Sequence, residues 1–162
     1  MKKVLIADDE QKICEMIKKM TDWESRGLTV AAMAENGLKL LELIQTEKPD
    51  IVITDIRMPG LDGLELVTKA RELGSNAHFI IMSGYKSFEY AHTALNLGVH
   101  HYLLKPVSRK ELEDTLDGIL KEEEKDRVSR QQLQEMQEST EKSHSRMRQH
   151  FLNSILQDIQ YI

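Results

Sequence analysis

Six residues of this 162-residue chain could share one chemistry. Asp8, Asp9 and Glu10 close the apolar run Val4-Leu5-Ile6-Ala7, and Asp55 closes the run that begins Ile51-Val52-Ile53. Ser83 closes Phe79-Ile80-Ile81-Met82, and Lys105-Pro106 closes the run from His101 to Leu104. Carboxylates crowded together repel one another unless a cation compensates them. Hard oxygen donors without His or Cys beside them select Mg²⁺ over zinc or copper, and Mg²⁺ keeps waters and takes one or two carboxylates plus phosphate oxygens. An aspartate in such a place can act as a nucleophile and form an aspartyl-phosphate. The metal and a lysine would neutralise charge growing on the transferring phosphoryl group, and a serine hydroxyl could bond one of its oxygens.

Taken singly, each residue has a plainer reading. Paired aspartates after a strand are usually a helix cap with a first-turn acid. Asp55 could be a turn residue ahead of Met58-Pro59-Gly60, and Lys105 a surface lysine. What discounts these readings is the joint occurrence at the ends of four runs.

The elements that must position them alternate. The apolar runs at 4–7, 28–34, 51–55, 79–82 and 101–104 are short and continuous, as in strands buried on both faces of a parallel sheet. Between them lie helical patterns: Ile13, Met16, Ile17 and Met20; Leu38, Leu40, Leu41, Leu43 and Ile44; Leu64 to Leu73; and Phe88 to Leu97. Ser108 followed by Glu111 has the spacing of a capping box for a fifth helix. Five strand–helix units predict an α/β, doubly wound, five-stranded parallel sheet. Ligands bind beyond the carboxyl ends of such strands, so Asp8, Asp9, Asp55, Ser83 and Lys105 converge on one edge.

The motifs ADDE (7–10), DIRMPGLDG (55–63), SGY (83–85) and YLLKP (102–106), in this order and on these strands, resemble the receiver domain of two-component response regulators. The resemblance covers residues 1 to about 122. It implies the flavodoxin-like (CheY-like) fold with strand order 2-1-3-4-5, and Asp55 as phosphoacceptor. It further implies that Asp9 and Asp55 bind Mg²⁺ by side chain, Asp8 through water, and Arg57 by its backbone carbonyl. Ser83 would be the switch hydroxyl, Lys105 the phosphate-binding lysine and Tyr102 the switch aromatic, with a cis bond at Pro106.

Composition narrows the class. One cysteine, Cys14, excludes a disulfide framework and a cysteine-ligated structural zinc site. The net charge of −5 argues against a freestanding nucleic-acid grip, and there is no 18-residue apolar run to span a membrane. The amino terminus lacks a signal-peptide apolar region, which makes the cytoplasm the expected compartment. Cys14 reads as a partly buried small apolar residue and Trp23 as a packing or surface aromatic. Adjacent His100 and His101 would point to opposite faces of a strand, so neither is assigned to metal. Gly60 and Gly63 read as turn glycines needing unusual φ/ψ.

All eight glycines and all three prolines lie at or before Gly118. Residues 123–162 therefore read as a long C-terminal helical extension, a linker after a 1–122 domain. Its heptad positions 119, 126, 133, 140, 147 and 154 carry Ile, Asp, Leu, Thr, Met and Ser, a poor coiled-coil seam. So polar a helix is expected to need a partner or to fray. Phe151, Leu152, Ile155, Leu156, Ile159 and Ile162 form an amphipathic stripe that should bury against another protomer or a further domain. The pattern resembles the receiver and linker of YesN-like regulators, whose later part carries an AraC-type helix-turn-helix domain.

The expected function is a non-enzymatic switch that takes a phosphoryl group from a sensor histidine kinase. It would then homodimerise and reach DNA only through a C-terminal domain absent from this sequence. The alternative is a phosphorelay or scaffold module without DNA-binding output. A third reading, an aspartate-nucleophile phosphatase of the haloacid-dehalogenase type, wants a second acid two residues after the nucleophile. Arg57 holds that position.

Overall fold

The computed structural model describes residues 1–84, 88–99 and 101–160. Side chains are described for these except Phe88 and, beyond residue 138, for Arg146 and Arg148 alone. Tyr85 of the SGY motif, His100, and the apolar stripe expected from Phe151 to Ile162 lie outside the described side chains. The elements in chain order are β1 (Lys2–Ala7), α1 (Gln11–Met20), a 3₁₀ turn (Glu24–Arg26), β2 (Leu28–Ala34), α2 (Gly37–Glu47), β3 (Ile51–Asp55), α3 (Gly63–Glu72), β4 (His78–Ser83), α4 (Phe88–Asn96), β5 (His101–Leu104) and α5 (Arg109–Gln160).

The five strands are parallel, as the strand–helix rhythm predicts, and ordered β2-β1-β3-β4-β5, as the resemblance to receiver domains implies. Both faces are covered. Leu5, Ala7, Val52, Phe79 and Ile81 pack with Leu40 and Ile44 of α2, Leu66, Val67 and Ala70 of α3, and Ala94 of α4. The alternate strand residues Val4, Ile6, Ile53 and Ile80 are equally buried, as are Ile17 of α1 and Leu112 and Leu116 of α5. Right-handed crossovers assign those two helices to the second face. Burying a Leu or Ile contributes about 1.5–3 kcal/mol, so these two layers supply most of the fold's driving force.

Three helix starts are built by short polar side chains. The Asn36 carboxamide oxygen accepts from Lys39 N at 2.8 Å, Asp62 Oδ1 from Glu65 N at 2.8 Å, and Ser108 Oγ from Glu111 N at 3.1 Å. These satisfy amides that the first helical turn leaves without a partner.

Several local expectations are corrected. In α2 the inward face is Leu40 and Ile44, while Leu38 is exposed beside Gly60. In α1 Cys14 and Ile17 turn inward and Met16 outward; Cys14 is 1% exposed, fully rather than partly buried. The long C-terminal helical extension is as expected: the backbone of α5 runs unbroken through the charged segment 121–127 to Gln160. Its side chains from Glu124 to Glu138 are all exposed, with Leu133 at 60% and Met136 at 70%. The chain divides into two compact units, Met1–Gly118 and Ile119–Ile162. Among the described residues no helix is long and apolar enough to cross a membrane.

Candidate functional site

Strand register brings the polar residues level. Ala7 pairs with Thr54 and Asp55 with Met82, so Asp8 and Asp55 leave adjacent strands side by side. Ser83 pairs with Leu104, placing Lys105 one residue beyond the same edge. Two backbone bonds tie the edge together: Ile56 N donates to Met82 O at 3.0 Å, and Lys105 N to Ser83 O at 2.8 Å.

The structure brings three of the predicted ligands into one cluster. A carboxylate oxygen from each of Asp8, Asp9 and Asp55 lies within 4.8 Å of the others. Asp8 is completely buried, Asp55 nearly so, and Asp9 exposed. Lys105 reaches into this cluster: its Nζ stands 2.7 Å from Asp8 Oδ2 and 3.1 Å from Asp55 Oδ2. Asp8 Oδ1 also accepts from Glu10 N at 2.9 Å. Neither Asp8 nor Asp9 is the cap of α1 that the plainer reading makes of them. The cap position belongs to Glu10, whose side chain makes no cap bond.

The electrostatics follow from this crowding. Partial burial, then the Asp8 carboxylate and the charge on Asp55, push the Asp9 carboxyl above its ordinary value. Burial alone would lower Lys105, but bonds to Asp8 and Asp55 and their charges outweigh it, so its ammonium is held above the ordinary value. Three carboxylates against one ammonium leave about two negative charges to be neutralised. That balance, made of oxygen donors alone, fits a hard divalent cation.

The other predicted residues are placed as follows. Ser83 is buried at the end of β4. Tyr102 is half-buried on β5 and packs against the main core. Arg57 is exposed in the loop after Asp55. The Lys105–Pro106 peptide is cis.

Two supporting residues were not singled out for this role by the sequence. Thr54 Oγ1 donates to the Asp55 carbonyl at 3.0 Å and contacts Met58 Sδ at 3.7 Å. The sequence expectation that Gly63 needs an unusual φ is corrected. Gly60 has φ +87°, but Gly63 does not take the left-handed region; it is small because a Cβ there would stand 2.7 Å from the Asp55 carbonyl oxygen. Nothing in local sequence distinguishes these two reasons for a glycine.

Comparison with known proteins agrees with this geometry. The family described as the response regulator receiver domain matches residues 4–117. The chain is 43% identical over 122 residues to the uncharacterized transcriptional regulatory protein YesN of Bacillus subtilis, covering 75% of this chain and 33% of that protein. It is 39% identical over 119 residues to the transcriptional regulatory protein HptR of Staphylococcus aureus, covering 74% and 46%. The chain thus spans between a third and a half of the length of these curated relatives. Among solved structures, the REC domain of AraT, a response regulator from Geobacillus stearothermophilus, superposes with a TM-score of 0.73 at 40% identity. That match covers 78% of this chain and 98% of the AraT domain. A CheY-like receiver domain protein from Methanospirillum hungatei gives 0.70 at 32% identity, covering 78% and 98%. With five parallel strands in the order 2-1-3-4-5 and an acidic cluster at their carboxyl edge, the chain belongs to the response regulator receiver domain family.

Proposed function

We propose that this receiver accepts a phosphoryl group on Asp55 from the phosphohistidine of a sensor kinase, with Mg²⁺ held by Asp9, Asp55 and the Arg57 carbonyl and, through water, by Asp8. The observation that carries the reading is the Asp8–Asp9–Asp55 cluster with Lys105 Nζ against two of its carboxylates. An Asp55 oxygen attacks phosphorus while the phosphorus–nitrogen bond of the donor breaks. Mg²⁺ supplies charge neutralisation of the phosphoryl oxygens when bound. Lys105 is close enough to offer its ammonium to a phosphoryl oxygen in exchange for part of its hold on Asp55.

The product adds about −1.5 to −2 charges at the edge. Ser83, buried one strand away, would turn its hydroxyl to the new oxygens, and Tyr102 would move further into the space this vacates. The face built from α4, β5 and α5 is thereby reset. In population terms, a phosphoryl group that binds the active state about 100-fold better supplies roughly 2.7 kcal/mol. Output is transcriptional control by a homodimer in the cytoplasm, with DNA contacted by a further C-terminal domain; that the longer relatives are transcriptional regulatory proteins supports the transcriptional part of this reading.

The test uses beryllofluoride with Mg²⁺ as the phosphoryl mimic, and a phosphohistidine donor. Wild type should take up one phosphoryl group and Asp55→Asn none. Uptake by Asp55→Asn at the same site would sink the assignment. Light scattering with and without beryllofluoride tests dimerisation, and unchanged mass would remove the dimer from the proposal.

A further inference from the structure

A second polar network lies at the other end of the sheet from the acidic cluster. α1 starts beyond the carboxyl end of β1 and returns to the amino end of β2, where Lys2 N bonds Gly27 O at 3.0 Å. α5 likewise starts beyond β5 and runs back, bringing Glu113 and Asp117 to this end. There Arg26 forks into three partners. Its Nε donates to Asp117 Oδ1 at 2.9 Å, its Nη1 to Thr21 Oγ1 at 3.1 Å, and its Nη2 pairs with Glu113 Oε2 at 3.4 Å. The Thr21 hydroxyl donates to Glu113 Oε1 at 2.9 Å, and Arg109 Nε, one turn back, to the same oxygen at 2.7 Å.

The corner that carries Arg26 is itself well fixed. Trp23 is buried and its indole N–H donates to Lys18 O at 2.8 Å. Leu28 N bonds Trp23 O at 2.9 Å, and Gly27, at φ +72°, closes the 3₁₀ turn onto Glu24 O at 3.0 Å. The stretch of α5 facing it carries few buried apolar groups, in a stripe that continues at Ile119. Within residues 109–117 only Leu112 and Leu116 are buried, a stripe one residue wide. β3, by contrast, is buried along its whole length. Stability is not uniform across a fold, and stretches with few buried apolar groups open first.

We propose that Arg26 is a polar latch: it holds residues 109–117 of α5 onto the α1–β2 corner, and it opens as a local, salt-sensitive event that leaves the sheet intact. A guanidinium suits the role because its rigid fork meets two acids and a hydroxyl at once. The network sits next to the boundary at Gly118, where the first compact unit ends. The hydrogen bond to Asp117 raises Arg26, and the bonds from Arg109 and Thr21 lower Glu113, so both stay charged around neutrality. Ionic strength is then the lever, because these partly exposed charges are screened by salt.

Hydrogen exchange on the full 162-residue chain tests this. In wild type, peptides over residues 109–117 should exchange faster than those over β3 and β4 and with a weaker urea dependence, and Arg26→Gln should speed them about fivefold. Raising NaCl from about 0.05 M to about 0.5 M should speed the same peptides in wild type and have little further effect in the variant. Thr21→Val, which keeps every charge, should give a smaller acceleration in the same place. Exchange at 109–117 with the same rate and urea dependence as β3 and β4 would overturn the latch, as that stretch would then open only with the whole fold. No acceleration at 109–117 would overturn it as well. If Arg26→Gln does not fold, Asp117→Asn is judged by the same two criteria.

Discussion

Lys105 Nζ stands 2.7 Å from Oδ2 of Asp8, a carboxylate with no solvent exposure, across 97 residues of sequence. A buried charge is tolerated only when paired, and removing one partner of such a pair costs far more than the pair contributes net. The lysine proposed to meet phosphate therefore also neutralises the pocket before any phosphate arrives.

Lys105→Met should lower stability by about 2–4 kcal/mol in urea titrations with EDTA present. Added Mg²⁺ should restore more stability in the variant than in wild type, since the cation replaces the missing charge. The folded-state pKa of Lys105 lies above its ordinary 10.5, so its contribution is complete below that pH and fades as pH rises through the folded value. The gap between wild type and variant should narrow above pH 10.5.

Gly63→Ala forces a Cβ to within 2.7 Å of the Asp55 carbonyl oxygen and 3.0 Å of Ile56 Cα. Neither backbone neighbour can yield without moving Asp55. The expected loss is about 1–3 kcal/mol by thermal unfolding. Beryllofluoride uptake should weaken too, although no carboxylate is removed.

Cys14 Sγ sits 3.9 Å from Asp8 O and 4.0 Å from Ala34 O. Burial, then the Asp8 charge, pushes its thiol from 9.0 up to about 11. Native protein at pH 8 should resist iodoacetamide, while protein in urea reacts. The folded state holds this proton more tightly, so the thiol's contribution is full below pH 9.0 and is lost as pH rises towards 11. Relative to Cys14→Ala, wild type should lose about 2 kcal/mol over that window in urea titrations.

Leu116 of α5 is fully buried and lies one turn from Leu112. Leu116→Ala should cost about 2–5 kcal/mol through lost burial and the cavity left behind. Global unfolding should register this loss as a lower urea midpoint, by more than the shift expected of Arg26→Gln.

Much of the fold was legible because its signals are local. Runs such as Ile51-Val52-Ile53 are too short and too β-branched to suit a helix, and a strand buried on both faces leaves no room for alternation. The residue that follows each run then had to lie at one edge, because parallel strands all end on the same side. Asn36, Asp62 and Ser108 start their helices through bonds to amides three residues away, and the Ser108–Glu111 spacing was readable for the same reason. Helix faces were read less well. A stripe drawn through Leu38 or Met16 differs from the observed one only by the helix's rotation about its axis, and neighbouring elements set that.

The sequence by itself determined the strand–helix order and the set of polar residues at the carboxyl edge, since both depend on chemistry within a few positions. Only the tertiary structure decided that Asp8 is buried while Asp9 is exposed, that Lys105 pairs with Asp8 and Asp55, and that Arg26 reaches Glu113 and Asp117. Those relationships join groups 50 to 97 residues apart in the site and 91 apart at the Arg26–Asp117 bond. At such separations a charge finds its partner through strand register and helix packing, and no pattern along the chain records which partner it will be.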